Sequence, residues 1–208
     1  MRRKFRDFAY PKMRIEAFSD AVIAIVMTLL ILELKAPDLG GKNLQETVDA
    51  LLELKSEFAA WVISFLLIGI YWLQHHNLLH MATRIDLKIV TLNLISLMGV
   101  CLTPFTASLI SHESHCGSSV FIFCFVFFLV SLTLCWMYHY ISCHYLKDTY
   151  DAQSVRRHVR LSYFLGPGLY LIAAVSSWFS FTITYIILLL IPVLFLFPLD
   201  VEKKSANT

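Results

Sequence analysis

The sequence predicts an all-α integral membrane protein with six transmembrane helices, and three observations lead to this fold class. Hydrophobic residues make up 58% of the 208 residues and charged residues only 15%, whereas soluble domains contain about 25% charged residues. The apolar residues form long runs, each about the length that crosses a bilayer as a helix. Most basic residues lie between alternate runs. A soluble protein is therefore excluded, and the net charge of +2 does not indicate nucleic acid as a partner.

The first span follows a basic head in residues 1–13 and ends before Pro37. We expect it to remain uncleaved, because it is about twenty residues long, contains Asp20 and lacks a small-residue cleavage site. The other five runs complete a single six-helix membrane domain over residues 1–208. The predicted spans are 14–35, 58–79, 85–110, 120–143, 161–179 and 181–199.

Two features of the connections are also predicted. Residues 38–57 combine acids with leucines at helical spacing, which indicates a short surface helix with Asn43 as its cap. The fifth and sixth spans are joined so closely around Ser180 that they must form a hairpin. Kinks are expected at the prolines inside the spans, which are Pro104, Pro167 and Pro192.

The basic residues predict the topology. An even number of spans places both termini on one side, and fourteen of the seventeen Lys and Arg residues lie on that side. The positive-inside rule therefore places both termini in the cytoplasm and the chain in the cell membrane. The fourteen are Arg2, Arg3, Lys4, Arg6, Lys12, Arg14, Arg84, Lys88, Lys147, Arg156, Arg157, Arg160, Lys203 and Lys204.

The first span carries an apolar stripe. At 100° per residue, Ile25, Leu29 and Leu32 fall within about 60° of one another, with Ala21 and Thr28 beside them. On an isolated helix such a stripe is typical of a surface that faces lipid or the protein core. The choice of a pore surface instead depends on the resemblance described below.

The same helix also carries charge, which is costly in a bilayer and marks a functional site. Asp20 points more than about 100° away from the centre of the stripe. Because a buried unpaired charge is expensive, we expect a polar network inside each protomer that joins the first helix to the second and third spans and sets its rotation. The predicted members are Arg14, Phe18, Ser19, Asp20, Trp72, His75, His76 and Asn93.

Enzymatic and metal-dependent functions find little support. His75, His76 and His80 lie close together, but no acidic or cysteine ligand accompanies them, and the five cysteines form no CxxC pair. No nucleophile elbow supports an intramembrane hydrolase. We therefore predict no enzyme, no metal and no cofactor.

A resemblance to a known family favours a channel. The string Arg14-x-x-x-Phe18-Ser19-Asp20 at a membrane entry resembles the signature of the transmembrane protein 175 family, the lysosomal potassium channel and its prokaryotic relatives. Trp72-x-x-His75-His76, Asn93-Leu94 and Pro104-Phe105-Thr106 extend the resemblance over roughly residues 14–110.

The resemblance implies a potassium-selective or potassium-preferring channel that is a homotetramer with first helices lining the pore, embedded in lipid. It implies a constriction of Ile25, Leu29 and Leu32, with Thr28 contributing to potassium preference. No TVGYG filter occurs. A proton-coupled secondary transporter that uses Asp20 and His75 is the alternative, although the second half of the chain contains no counterpart of the polar first span.

Overall fold

The computed structural model describes residues 10–41, 43–112 and 116–196, and this part of the chain is built from helices with short connections. Most of the basic head, the C-terminal tail and the last three residues of the predicted sixth span lie outside it. The α-helices are α1 Lys12–Leu29, α2 Leu44–Glu53, α3 Lys55–Met81, α4 Leu87–Cys101, α5 Thr103–His112, α6 Gly117–His144, α7 Ala152–Tyr163, α8 Leu169–Ser176 and α9 Phe181–Leu196. A 3₁₀-helix, Leu30–Glu33, continues α1, and a π-helical turn, Phe164–Gly168, joins α7 to α8.

In the described part of the chain, five helical stretches are long and apolar enough to cross a bilayer. They are Lys12–Glu33, Lys55–Met81, Leu87–Ser111, Gly117–His144 and Gln153–Ser176. The apolar helix at the C-terminal end, α9, has 16 described residues, about 24 Å at 1.5 Å per residue, slightly less than the hydrocarbon core. The chain is therefore an all-helical, multi-pass membrane protein.

The third predicted span consists of two helices, whereas the sequence predicted one kinked helix. α4 ends at Cys101 and α5 begins at Thr103. Pro104 stands in the first turn of α5, where its missing N–H is tolerated, whereas inside a continuous helix it would remove a hydrogen bond. The predicted kink is therefore a break at Leu102.

The fifth predicted span also begins earlier than the apolar run. α7 starts at Ala152, nine residues before the predicted start at 161, and buries Val155 and Val159 while it exposes its arginines. Its N-terminus is capped by Asp151, whose Oδ2 accepts from the Ser154 N–H at 2.6 Å. The polar composition of residues 152–160 hid a helix that is apolar on one side only.

The phenylalanine-rich α6 is at the centre of the core. Phe123, Phe127 and Met137 are buried, and α6 packs against α3, α4, α5, α7 and α8. Its approach to α4 is close at Gly99, where an added Cβ would lie 2.6 Å from Val130 Cγ2. The fold therefore requires the absence of a side chain at this crossing.

The N-terminal segment and two connections meet at one end of the bundle. The Tyr10 N–H donates to the Ile85 carbonyl at 3.0 Å, and the Thr83 N–H donates to the Tyr145 carbonyl at 2.8 Å. The start of α1 and the α3–α4 and α6–α7 connections thus share one membrane face.

The surface helix α2 lies toward the opposite end, and Asn43 caps it as the sequence predicted. Asn43 Oδ1 accepts from the Glu46 N–H at 2.9 Å, and the Glu46 carboxylate accepts from the Asn43 N–H.

Candidate functional site

The first helix divides into an inner and an outer face. Ser19, Ile23 and Val26 are buried against the rest of the chain, and Leu30 continues this face into the 3₁₀ turn. Residues spaced by three and four positions lie on one side of a helix, so these side chains fix which side of α1 faces inward.

The outer face of α1 contains the apolar stripe. The exposed fractions of its side chains are 58% for Ile25, 43% for Leu29 and 69% for Leu32, and Ala21 and Thr28 are exposed beside them. A single chain therefore leaves uncovered the whole set of residues for which a pore surface was predicted.

The end of α1 departs from the uniform helix predicted for residues 14–35. The α-helix ends at Leu29, and Leu30–Glu33 is 3₁₀-helical. Side chains three residues apart eclipse one another in a 3₁₀-helix, so Leu32 follows Leu29 more directly than it would in an α-helix. The Thr28 hydroxyl donates to the Ile25 carbonyl at 2.7 Å, which leaves the lone pairs of its Oγ1 as acceptors on the outer face.

Asp20 has a partner on the second long helix. Trp72 Nε1 donates to Asp20 Oδ1 at 2.9 Å. The indole N–H can only donate and an ionised carboxylate can only accept, so the pair has a single direction. This bond joins α1 to α3.

A second chain of hydrogen bonds, buried at Ser19, Asn93 and His75, joins α1 to α4 and α3. The Ser19 hydroxyl donates to the Ile15 carbonyl at 2.8 Å and is 2.9 Å from Asn93 Nδ2. Since its proton is used on Ile15, Ser19 Oγ accepts from the Asn93 amide. This turns Asn93 Oδ1 toward His75 Nε2, at 2.7 Å. Oδ1 cannot donate, so His75 carries its proton on Nε2.

The other predicted members of the network lie at or beyond its edge. The His76 ring lies beside Trp72, tilted by 35° with centroids 6.0 Å apart, and stacks on His80. Phe18 is half exposed. Arg14, in the first turn of α1, is exposed and makes no hydrogen bond or ion pair with any described residue, so its place in the network stays a prediction.

Two polar contacts near the site were not predicted. Lys12 Nζ donates to the His80 carbonyl at 3.2 Å and is 3.8 Å from Glu16 Oε1. Asp86 is buried before α4, where it accepts from the Ile89 N–H at 2.9 Å and from the Tyr140 hydroxyl at 2.6 Å. An aspartate directly before an apolar run is an N-cap signal, so Asp86 could have been found from the sequence.

The carboxylate of Asp86 is stabilised in its ionised form. Burial alone would raise its pKa, but the hydrogen bonds from Tyr140, the Ile89 N–H and Tyr145 outweigh it and lower the pKa. Within residues 10–41, 43–112 and 116–196, no three His, Cys, Asp or Glu side chains lie close enough to hold a metal ion. The expectation of no cofactor stays a prediction.

An apolar outer stripe opposite a buried polar anchor suits a helix that lines a pore and also one that faces lipid, so the geometry alone does not assign a function. Comparison with known proteins identifies the family. Residues 14–104 match the family described as the endosomal/lysosomal potassium channel TMEM175. The chain is 30% identical over 183 residues to a potassium channel of Chamaesiphon minutus, with 84% of this chain and 90% of that protein covered. The chain belongs to the TMEM175 family of cation channels.

Further relatives support the same family assignment. A potassium channel of Streptomyces collinus is 33% identical over 159 residues, with 74% of this chain and 76% of that protein covered. The endosomal/lysosomal proton channel TMEM175 of Rattus norvegicus is 28% identical over 195 residues, but the match spans only 37% of its length and 88% of this chain. The crystal structure of a lysosomal potassium-selective channel TMEM175 homolog from Chamaesiphon minutus superposes with a TM-score of 0.80 at 26% identity, over 91% of this chain and 98% of that one.

Proposed function

We propose that the chain forms a potassium-preferring channel in which four copies place their first helices around one pore. The observation that carries this proposal is the uncovered stripe of Ile25, Leu29 and Leu32 opposite the buried anchor of the same helix. Two bacterial relatives are named potassium channels, which supports potassium as the permeant ion. One chain cannot enclose a pore with a single helix, so the mechanism requires an oligomer.

The geometry of four such helices is compatible with a narrow pore. Neighbouring helix axes about 8–10 Å apart put opposite axes about 11–14 Å apart. A helix with its side chains is about 10–12 Å across, so inward Ile and Leu side chains nearly close the lumen. An apolar constriction gates by dewetting and forces an ion to rearrange its hydration water.

The preference for potassium follows from hydration. Potassium holds its water less strongly than sodium, so an apolar ring imposes a smaller penalty on it. Thr28 would add four hydroxyl oxygens beside the ring, and Ala21 would widen the lumen on the side of the N-terminus. The chain contains no TVGYG sequence, so we expect modest selectivity. The basic residues favour cytoplasmic termini in the cell membrane.

Currents from the reconstituted protein test this proposal. In asymmetric KCl and NaCl we expect unitary currents that reverse toward the potassium potential. Ile25→Asn and Leu29→Ala should wet the constriction and move the reversal potential toward zero. Ile172→Asn is a matched control, since Ile172 is similarly exposed at 53% but lies on α8, outside the first helix. Unchanged selectivity in both stripe variants would exclude the stripe as the constriction, and electrically silent, proton-dependent flux would instead support the transporter.

Proton permeation is a second candidate, and one observation favours it. The rat relative is named a proton channel, and His75, with Asp20 nearby on α1, supplies titratable groups on the side of α1 that faces away from the proposed pore. Reversal potentials measured under a pH gradient in the absence of potassium and sodium test it. A reversal potential that does not change with the pH gradient would exclude proton permeation.

A further inference from the structure

A cationic groove lies between α6 and α7, away from the first helix. Its volume is about 480 Å³, within the range of small-ligand sites. Arg156, Val159, Arg160 and Tyr163 line it from α7, and His139 and Ser142 line it from the last turns of α6. No acidic side chain lines the groove.

The two arginines are available for a ligand. Arg156 and Arg160 are four residues apart and therefore project from the same side of α7. Both are exposed, and neither forms an ion pair or hydrogen bond with a residue in the described part of the chain. A pair of guanidinium groups without a carboxylate matches the bidentate recognition of phosphate oxygens.

The sequence of α7 places the groove where the polar part of the helix passes into the apolar part. No Asp, Glu, Lys or Arg occurs between Arg160 and Asp200, so Arg160 marks the point where α7 enters the apolar layer. On the facing helix, His139 and Ser142 lie within two turns of the end of α6 at His144. Val159 and Tyr163 add apolar and aromatic surface one turn along the groove, beside the arginines.

We propose that this groove binds the phosphate headgroup of an anionic phospholipid in the leaflet on the side of the termini. Basic pockets between membrane helices on this face suit such headgroups. A phosphate between Arg156 and Arg160 receives charge-assisted hydrogen bonds, while an acyl chain continues along Val159 and Tyr163. A free phosphate ion shares the first contact but gains nothing from the second. The site does not depend on ion conduction, so the proposed channel function can fail without affecting it.

Binding of a short-chain lipid to the purified full-length protein tests the site. The probe is dioctanoyl phosphatidylglycerol, compared with dioctanoyl phosphatidylcholine and inorganic phosphate, with dissociation constants measured by thermophoresis. The wild type should bind phosphatidylglycerol saturably and at least tenfold more tightly than phosphatidylcholine. Two arginines near a charged lipid surface contribute roughly a thirtyfold change in affinity, so R156Q/R160Q should weaken phosphatidylglycerol binding by about that factor.

The control variants distinguish a specific site in the groove from a general attraction between positive charge and anionic lipid. Arg157→Gln removes one positive charge, as each groove substitution does, from an exposed arginine of α7 outside the groove, and should change affinity less than twofold. Ser142→Glu leaves the arginines intact, places a carboxylate on the α6 wall, and should also weaken binding at least tenfold. Melting and gel-filtration profiles confirm that each variant is folded.

Three results would overturn the proposal. One is equal binding of the two lipids, and another is a loss in Arg157→Gln as large as that in R156Q/R160Q. The third is displacement of phosphatidylglycerol by an equal concentration of inorganic phosphate, which would identify a site for soluble anions.

Discussion

Replacement of Asn93 by leucine tests whether the buried network orients the first helix. Leucine has the same number and branching of side-chain heavy atoms as asparagine, with bulkier methyl groups in place of the amide O and N, so the change removes hydrogen bonds without leaving a cavity. The Ser19 hydroxyl keeps its own donor bond to Ile15, but His75 Nε2–H loses its acceptor inside the protein. The lost bond to Ser19 at about 1 kcal/mol and the orphaned His75 donor at about 1–3 kcal/mol predict a cost of roughly 2–4 kcal/mol.

The structure supplies a matched control on the same two helices. The Tyr71 hydroxyl and Ser96 Oγ are 2.9 Å apart, buried, and join α3 to α4 as His75 and Asn93 do, but this bond does not reach α1. Tyr71→Phe should therefore lower stability by about 1 kcal/mol and leave ion selectivity unchanged. Asn93→Leu should lower both, because Asn93 also holds Ser19 of α1.

Thermal melting in detergent and reversal potentials in bilayers provide the two readouts. For a chain of this length, roughly 2–4 kcal/mol corresponds to a fall in melting temperature of about 5–15 °C. Adding His75→Leu to Asn93→Leu should recover part of the stability, because the orphaned donor is gone, but not the selectivity. If Asn93→Leu melts lower than the wild type yet keeps its permeability ratio, the network stabilises the protomer without orienting its pore helix.

Two further predictions concern the scaffold. The pKa of Asp86 is lowered in the folded protein, so its stabilising effect is complete above the unfolded value of about 4 and is lost as the pH falls below it. Between pH 5 and pH 3 the melting temperature of the wild type should therefore fall more steeply than that of Asp86→Asn, and parallel curves would contradict this. Gly99→Ala should cost about 1–3 kcal/mol through overpacking against Val130, whereas Gly69→Ala, whose Cβ would meet only Met27 Cε at 4.0 Å, should be tolerated. Equal melting temperatures for the two variants would exclude a steric role for Gly99.

Much of the arrangement could be predicted from local chemistry. The apolar stripe follows from helical periodicity alone, and a carboxylate within a span predicts a partner. The indole of Trp72 was among the groups named for Asp20, and it lies within hydrogen-bond distance. The choice between His75 and His76 could not be predicted, because neighbouring residues point about 100° apart and only the packing of α3 on α4 decides which one meets Asn93.

The 3₁₀ turn after α1 and the helix α7 were harder to predict from the sequence. The 3₁₀ turn at Leu30–Glu33 carries no glycine or proline to mark it. The amphipathic α7 was hidden by its polar side, although Asp151 before it and valines at positions 155 and 159 were a cap and a helical spacing. Long apolar runs dominate the analysis of a membrane sequence, so a helix that lies partly outside the apolar layer is easily overlooked.

The division of α1 into a polar anchor and an apolar stripe has an energetic reason. In a bilayer no hydrophobic force distinguishes an inward Ile23 from an outward Ile25, since lipid tails are as apolar as either side chain. Rotation of the helix is therefore controlled by directional contacts, here the bonds of Asp20 to Trp72 and of Ser19 to Asn93. Two such bonds at about 1 kcal/mol each favour one rotation by roughly thirtyfold. In the proposed tetramer this bias would act on four helices at once and favour the state with four identical stripes around the pore.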